Sequence, residues 1–285
     1  MNRLSKADRT RIVASLVEGN SIRATCRMTG AAKGTVLKLL ADLGMACAAY
    51  HDEHVRNVAA SRIQCDEIWS FCYGKDRNVS DDKKAEGAGS LWTWTALDAD
   101  SKLIVSYLCG GRDAGWATAF MKDVASRLST RVQITTDGHK AYLEAVEGAF
   151  GMEVDYAMLI KLYGTASGPE TRYSPGEVIG TETHVKAGNP NPRYISTSYV
   201  ERQNLTMRMS MRRFTRLTNA FSKKGENHEH MLAIYFMYYN FCRIHSTLRV
   251  TPAMEAGLSG DQWMIEDLVN LMEPKSILDG LMRVS

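Results

Sequence analysis

Three acids, Asp66, Asp137 and Glu201, stand far apart in this 285-residue chain, each at a place where a carboxylate could do chemistry. Asp66 lies in a strand-like run whose neighbours Ile63, Ile68, Trp69 and Phe71 are largely apolar. Asp137 closes a short apolar run in Thr135-Thr136-Asp137-Gly138, and an acid at the end of such a strand is poorly explained by folding alone. Glu201 begins a helical stretch in which Asn204, Leu205 and Arg208 share its face. Taken singly, each has an ordinary explanation: an edge-strand solubiliser, a helix cap, a surface charge. Together they are hard oxygen donors of the kind that Mg²⁺ or Mn²⁺ requires. Two such ions about 3.5–4 Å apart can neutralise a pentacovalent phosphorus centre, prepare a nucleophile and stabilise a leaving oxygen. The chemistry would be cleavage and transfer of phosphodiesters.

The elements that must carry these acids can be read from periodicity. Ala7–Glu18 sets Ile12, Val13, Leu16 and Val17 on one helical face, and Gly19-Asn20 ends it. Ser21 caps a second short helix, Ile22–Met28, and Thr29-Gly30 turns the chain. Ala32–Leu43 forms a third helix with Val36, Leu37, Leu39, Leu40 and Leu43 inward, and Gly44 stops it. This spacing matches a helix-turn-helix, with Lys33, Thr35 and Lys38 on the exposed side of the recognition helix, although a plain three-helix bundle shares the pattern. Polar residues 51–61 read as a linker after an all-α domain over 1–50.

Strand texture follows, over Arg62–Phe71, Leu91–Leu97 and Lys102–Leu108. A helix over Ala114–Leu128, a strand over Val132–Thr136, a helix over His139–Phe150 and a strand over Glu153–Leu162 come next. Three antiparallel strands and then helix-linked ones describe an α/β fold, a ribonuclease H-like mixed sheet flanked by helices. In such a sheet the first strand is central and the fourth lies beside it, so the two aspartates meet. The core is expected over 62–225, with a long loop at 164–195 holding Pro169, Pro175, Pro190 and Pro192. Ser196-Thr197-Ser198 can cap the helix of Glu201, and residues 226–285 form a helical extension in which Met231–Tyr239 reads as buried.

The formal charge of +3 says little, but its distribution says more. Residues 1–49 carry eight Lys/Arg against three acids, and a second basic run after Glu201 includes Arg202, Arg208, Arg212, Arg213, Arg216, Lys223 and Lys224. Two basic segments fit two contacts with a polyanion; solvated helix faces would look the same. The six cysteines contain no C-x-x-C pair, which argues against a zinc ribbon or a disulfide framework and for reduced thiols. No leader and no apolar run of membrane-spanning length is visible, so a soluble cytoplasmic, nucleoid-associated protein is expected, with no membrane contact.

The runs Cys65-Asp66-Glu67-Ile68-Trp69, Thr136-Asp137-Gly138-His139-Lys140-Ala141-Tyr142 and Tyr199–Arg208 resemble the three acidic motifs of DDE transposases, in particular the IS1 insertion-sequence family. Phe214–Lys224 and Asn240–Ala256 are also similar to segments of transposases, so the resemblance covers roughly residues 60–258. It implies a catalytic core in which Asp66, Asp137 and Glu201 bind Mg²⁺ or Mn²⁺, two ions per site. It further implies hydrolysis at the ends of a mobile element, then attack of the freed 3′-hydroxyl on target DNA. The partners would be double-stranded DNA, as inverted-repeat ends and target, and a second copy of the chain, since ends are handled in pairs. Arg208 would contact a phosphate or steady Glu201, and Arg212, Arg213 and Arg216 would track the backbone. One departure stands out: IS1-type proteins often carry an N-terminal cysteine zinc finger, and this chain has none.

His139 could orient a phosphate or water, or merely start a helix; His245 and Arg243 could touch DNA or pack. Trp92, Trp94 and Trp116 could stack bases but suit a core, and Met207, Met209 and Met211 suit interior filling. Two rival functions share these residues: a ribonuclease H-like nuclease or resolvase that hydrolyses without joining, and a catalytically inert DNA-binding regulator.

Overall fold

The computed structural model describes residues 4–164, 176–215 and 218–273; Arg216, one of the expected DNA contacts, lies outside them. The elements are α1 (Lys6–Val17), α2 (Ile22–Thr29), α3 (Lys33–His54), β1 (Arg62–Cys72), α4 (Asp81–Ala85), β2 (Gly89–Asp98), β3 (Ile104–Gly110), α5 (Ala114–Arg127), β4 (Val132–Thr136), α6 (Ala141–Phe150), β5 (Val154–Tyr163), β6 (Val178–Ala187), α7 (Ser198–Ser210), α8 (Gly225–Met237), α9 (Pro252–Glu255) and α10 (Ile265–Asn270). A π-helical turn, Tyr238–Cys242, continues α8. No helix among the described residues is long and apolar enough to cross a membrane.

The strands form one mixed sheet in the order β3-β2-β1-β4-β5-β6, so β1 is internal and lies beside β4, as expected. β1 runs parallel to β4, with Cys65 opposite Thr136, and β4 runs parallel to β5. This register sets Asp66, the residue after Cys65, beside Asp137, the residue after Thr136. β6 returns antiparallel to β5.

β6 corrects part of the expected long loop over 164–195, of which residues 165–175 lie outside the described ones. Its residues Thr181-Glu182-Thr183-His184 are polar, and exposure on both faces leaves no apolar alternation to read. Backbone pairing to β5 defines it instead.

The chain divides into two compact units. One comprises Asn57–Glu67 and Trp94–Arg202. In it α5 packs on α6, and Trp94, Phe120 and Tyr142 are fully buried ring neighbours. Trp94 therefore packs, and its Nε1 donates to the Gly111 carbonyl at 2.9 Å. Gly110 ends β3 and Gly111 follows it under the Trp116 ring: a Cβ at Gly110 would come within 2.4 Å of that ring. Asp113 caps α5, accepting from Gly115 N and Trp116 N.

The other unit comprises Met1–Arg56, Ile68–Thr93 and Gln203–Ser285. Ser5 and Ser21 cap α1 and α2, and Gly30 ends α2 with a left-handed φ of 72°. The third helix does not stop at Gly44 but runs on to His54, through the first residues assigned to a linker. Gly44 marks a close crossing with α8: a Cβ there would lie 2.4 Å from His230 Cβ. A helix-stop glycine and a helix-contact glycine look identical in sequence, and tertiary packing decided between them. Met231–Met237 of α8 is buried all round, as its apolar run suggested. Met207 and Met211 are buried, whereas Met209 is 71% exposed and fills nothing.

Candidate active site

Asp66, Glu67 and Asp137 each present a carboxylate oxygen inside a common span of 4.8 Å. Asp66 and Asp137 line an open cavity of about 670 Å³ whose wall also includes Arg112, Lys161 and Glu201. β1 supplies the first two acids, and the end of β4 supplies the third. Asp66 folds back so that Oδ1 accepts the backbone N–H of Glu67 at 2.8 Å. Asp137 Oδ1 accepts the N–H of His139 at 2.9 Å, which braces the turn into α6. That turn approaches Ile160 of β5 closely at Gly138, where a Cβ would sit 3.0 Å from its side chain.

Glu201 reaches the same cavity from the first turn of α7. Gln64, on β1 two residues before Asp66, accepts the backbone N–H of Tyr199 at 2.8 Å and that of Val200 at 3.1 Å. A strand side chain thereby satisfies two of the donors that a helix start leaves open. Glu201 is not part of the 4.8 Å cluster. Its Oε2 is ion-paired with Lys161 of β5, and its Oε1 accepts from Thr197 Oγ1 at 2.6 Å. The structure thus brings the expected acids to one cavity, adds Arg112, Lys161 and Thr197 to its wall, and sets Glu67 beside the two aspartates and Gln64 at the helix start. Glu67 was hard to anticipate, because strand alternation sends adjacent side chains to opposite faces. Gln64 and Arg112 left no local signal.

Crowding governs the electrostatics. Burial, then the charges of Glu67 and Asp137, push Asp66 up to about 7. Glu67 is raised by burial and by Asp137. Its Oε2 is held by Arg112, through Nη2 at 3.0 Å and Nε at 3.1 Å. The buried Tyr142 hydroxyl, hydrogen-bonded to the same carboxyl, works to lower it. A knot of like charges suits a divalent cation, and the all-oxygen donor set suits Mg²⁺ or Mn²⁺. Asp66 and Asp137, which line the cavity with Glu201, fit such a group, while Glu67 is engaged by Arg112.

His139 stacks on Trp94 with ring centroids 5.9 Å apart, and its Nε2 is buried without a hydrogen-bond partner. His245 and Arg243 do not line the cavity. Of the residues expected to meet DNA, Lys33, Thr35 and Lys38 are exposed on α3, with Lys38 paired to Asp42 at 2.6 Å. Arg212 is exposed and Arg208 half-buried. Arg213 departs from the expectation of a backbone-tracking side chain. Its guanidinium turns inward to Ser222 Oγ at 3.1 Å and to the Asn227 carbonyl, and burial lowers it to about 10.

No family model matches the chain, and no curated protein matches it. Among solved structures, it is similar to the Mos1 transposase paired-end complex with left transposon end, at 10% identity and a TM-score of 0.22. That match spans 52% of this chain and 57% of that one, little more than half its length. It is also similar to a piggyBac transposase synaptic complex with hairpin DNA, at 9% identity and a TM-score of 0.38 over 97% of this chain and 72% of that one. The Mos1 strand transfer complex matches at 11% identity and a TM-score of 0.23, over 82% of this chain and 77% of that one.

Proposed function

We propose that this chain is a DNA transposase of the DDE type, akin to the IS1 family, which cleaves at the ends of a mobile element and joins the 3′-hydroxyl ends to target DNA. The observation that carries the reading is the meeting of Asp66, Glu67 and Asp137 within 4.8 Å, at a cavity that Asp66, Asp137 and Glu201 line. The three motifs that resemble the family's acidic motifs are those whose acids line that cavity.

Two Mg²⁺ or Mn²⁺ ions, when bound, would supply charge neutralisation at the phosphate and acidify the attacking oxygen. Asp66 and Asp137 would hold them from strand positions that the β1–β4 pairing fixes. Glu201 would join from a helix whose start Gln64 secures. Thr197 orients the Glu201 carboxylate, and Lys161 neutralises it until a cation arrives. The N-terminal helices, residues 1–50, would bind the inverted ends as a helix-turn-helix through Lys33, Thr35 and Lys38. Arg208 and Arg212 would add phosphate contacts, and Arg216 would do the same. Working on paired ends calls for at least a dimer on DNA.

The test uses duplexes bearing the inverted repeats that border the coding region, with Mg²⁺ and a supercoiled target plasmid. Joined products from the wild-type chain, and none from Asp137→Asn at undiminished duplex binding, are expected. Cleavage without joining would make the protein a hydrolytic nuclease. Binding without cleavage would make it a regulator.

A further inference from the structure

We propose that Arg112 is a phosphate-binding residue of this cavity and that Glu67 positions it, an assignment that rests on the phosphoryl-transfer reading above. Arg112 lies between the end of β3 and Asp113, the cap of α5, so strand and helix fix its backbone on both sides. Its guanidinium grips Glu67 Oε2 with two nitrogens, at 3.0 and 3.1 Å. The pair is lopsided in exposure: the Glu67 side chain is 0% exposed and that of Arg112 is 38%. A counter-ion serving burial alone would sink with its acid. This one opens onto the cavity, and its Nη2 stops 3.9 Å from Asp137 Oδ2, beyond a direct charge-assisted hydrogen bond.

A site built from acids repels the strand it must cut, so a cation aimed at the phosphate is required beside them. A guanidinium fork matches phosphate oxygens in geometry, and such clamps act where charge develops during phosphoryl transfer. Glu67 then has a defined task. It holds the fork by one oxygen, so that the arginine neither collapses onto Asp137 nor swings into solvent.

The experiment is Mn²⁺-dependent nicking of supercoiled plasmid by the full chain, with rates measured against plasmid and Mn²⁺ concentration. Arg112→Ala is expected to lower kcat at least 30-fold, with KM for plasmid and the half-saturating Mn²⁺ concentration each within threefold of wild type. Arg112→Lys, which keeps the charge and the fold but loses the fork, should fall between them. Glu67→Gln still accepts from the guanidinium and should retain at least a tenth of kcat, whereas Glu67→Ala should match Arg112→Ala. Nicking by Arg112→Ala within threefold of wild type overturns the assignment and leaves the reading standing. A fivefold rise in half-saturating Mn²⁺ for Glu67→Gln makes Glu67 a metal ligand and overturns its positioning role. Absence of nicking by the wild-type chain overturns both.

Discussion

Gln64 Oε1 and the Tyr199 backbone N–H, 135 residues apart in sequence, form a 2.8 Å hydrogen bond that joins the strand of Asp66 to the helix of Glu201. The same oxygen accepts from Val200, so this buried amide acts as the helix cap. Gln64→Ala should cost about 1–2 kcal/mol of stability, the usual loss for a cap. Activity should fall further than stability, because Glu201 loses its fixed approach. Urea unfolding and joining assays on one preparation check this, and equal stability with full activity would sink it.

Lys161→Ala removes the ammonium paired with Glu201, which a cation held as proposed would displace. Mn²⁺ titrated against thermal unfolding should then reach half-saturation at a concentration at least threefold lower than in the wild-type chain. A higher concentration would mean that Lys161 supports the metal site.

Gly44 and Gly34 lie on the same helix and should respond oppositely to alanine. At Gly44 the new Cβ would meet His230 at 2.4 Å, and overpacking of that kind costs about 1–3 kcal/mol. At Gly34 nothing lies within 4 Å, so the higher helix propensity should stabilise by roughly 0.5 kcal/mol near the helix start. Denaturant midpoints of the two variants give the comparison directly.

Acid should destabilise the protein partly through His228. Burial, then the nearby Arg213 charge, lowers this histidine to about 3, and its ring nitrogens face Ser222 Oγ at 3.0 Å and Ser70 Oγ at 3.5 Å. The folded state keeps it neutral while the unfolded state takes up a proton near 6.5. Its contribution is therefore whole above pH 6.5 and shrinks as pH falls toward 3, by at most roughly 4–5 kcal/mol. His228→Gln should flatten the fall in stability between pH 6 and pH 4, measured by denaturation at each pH.

Lys33→Ala with Lys38→Ala should weaken DNA binding alike for all sequences and reduce the salt slope by about 2, if both contact phosphates. Both side chains are exposed. An unchanged slope in titrations across salt would remove α3 from the DNA interface.

Periodicity made most strands and helices legible, and Asp137 stood out because a carboxylate ended an apolar strand. What escaped depended on neighbours distant in sequence. Arg213 sits in a basic run that reads as solvated, and only the fold reveals Ser222 and Asn227 around it. Glu67 was hidden by its adjacency to Asp66. β6 carries no buried face, so its place depends wholly on the β5 backbone.

The continuity of α3 has a mechanical corollary. Its 22 residues make a rod of about 33 Å, with Lys33 at one tip and Gly44 seated on α8 partway along. A rod without a joint cannot swivel its tip independently of the bundle on which it lies. The direction in which that basic tip points is thus set when the unit folds, and steering it would take a tilt of the helix pair rather than the swing of a tether.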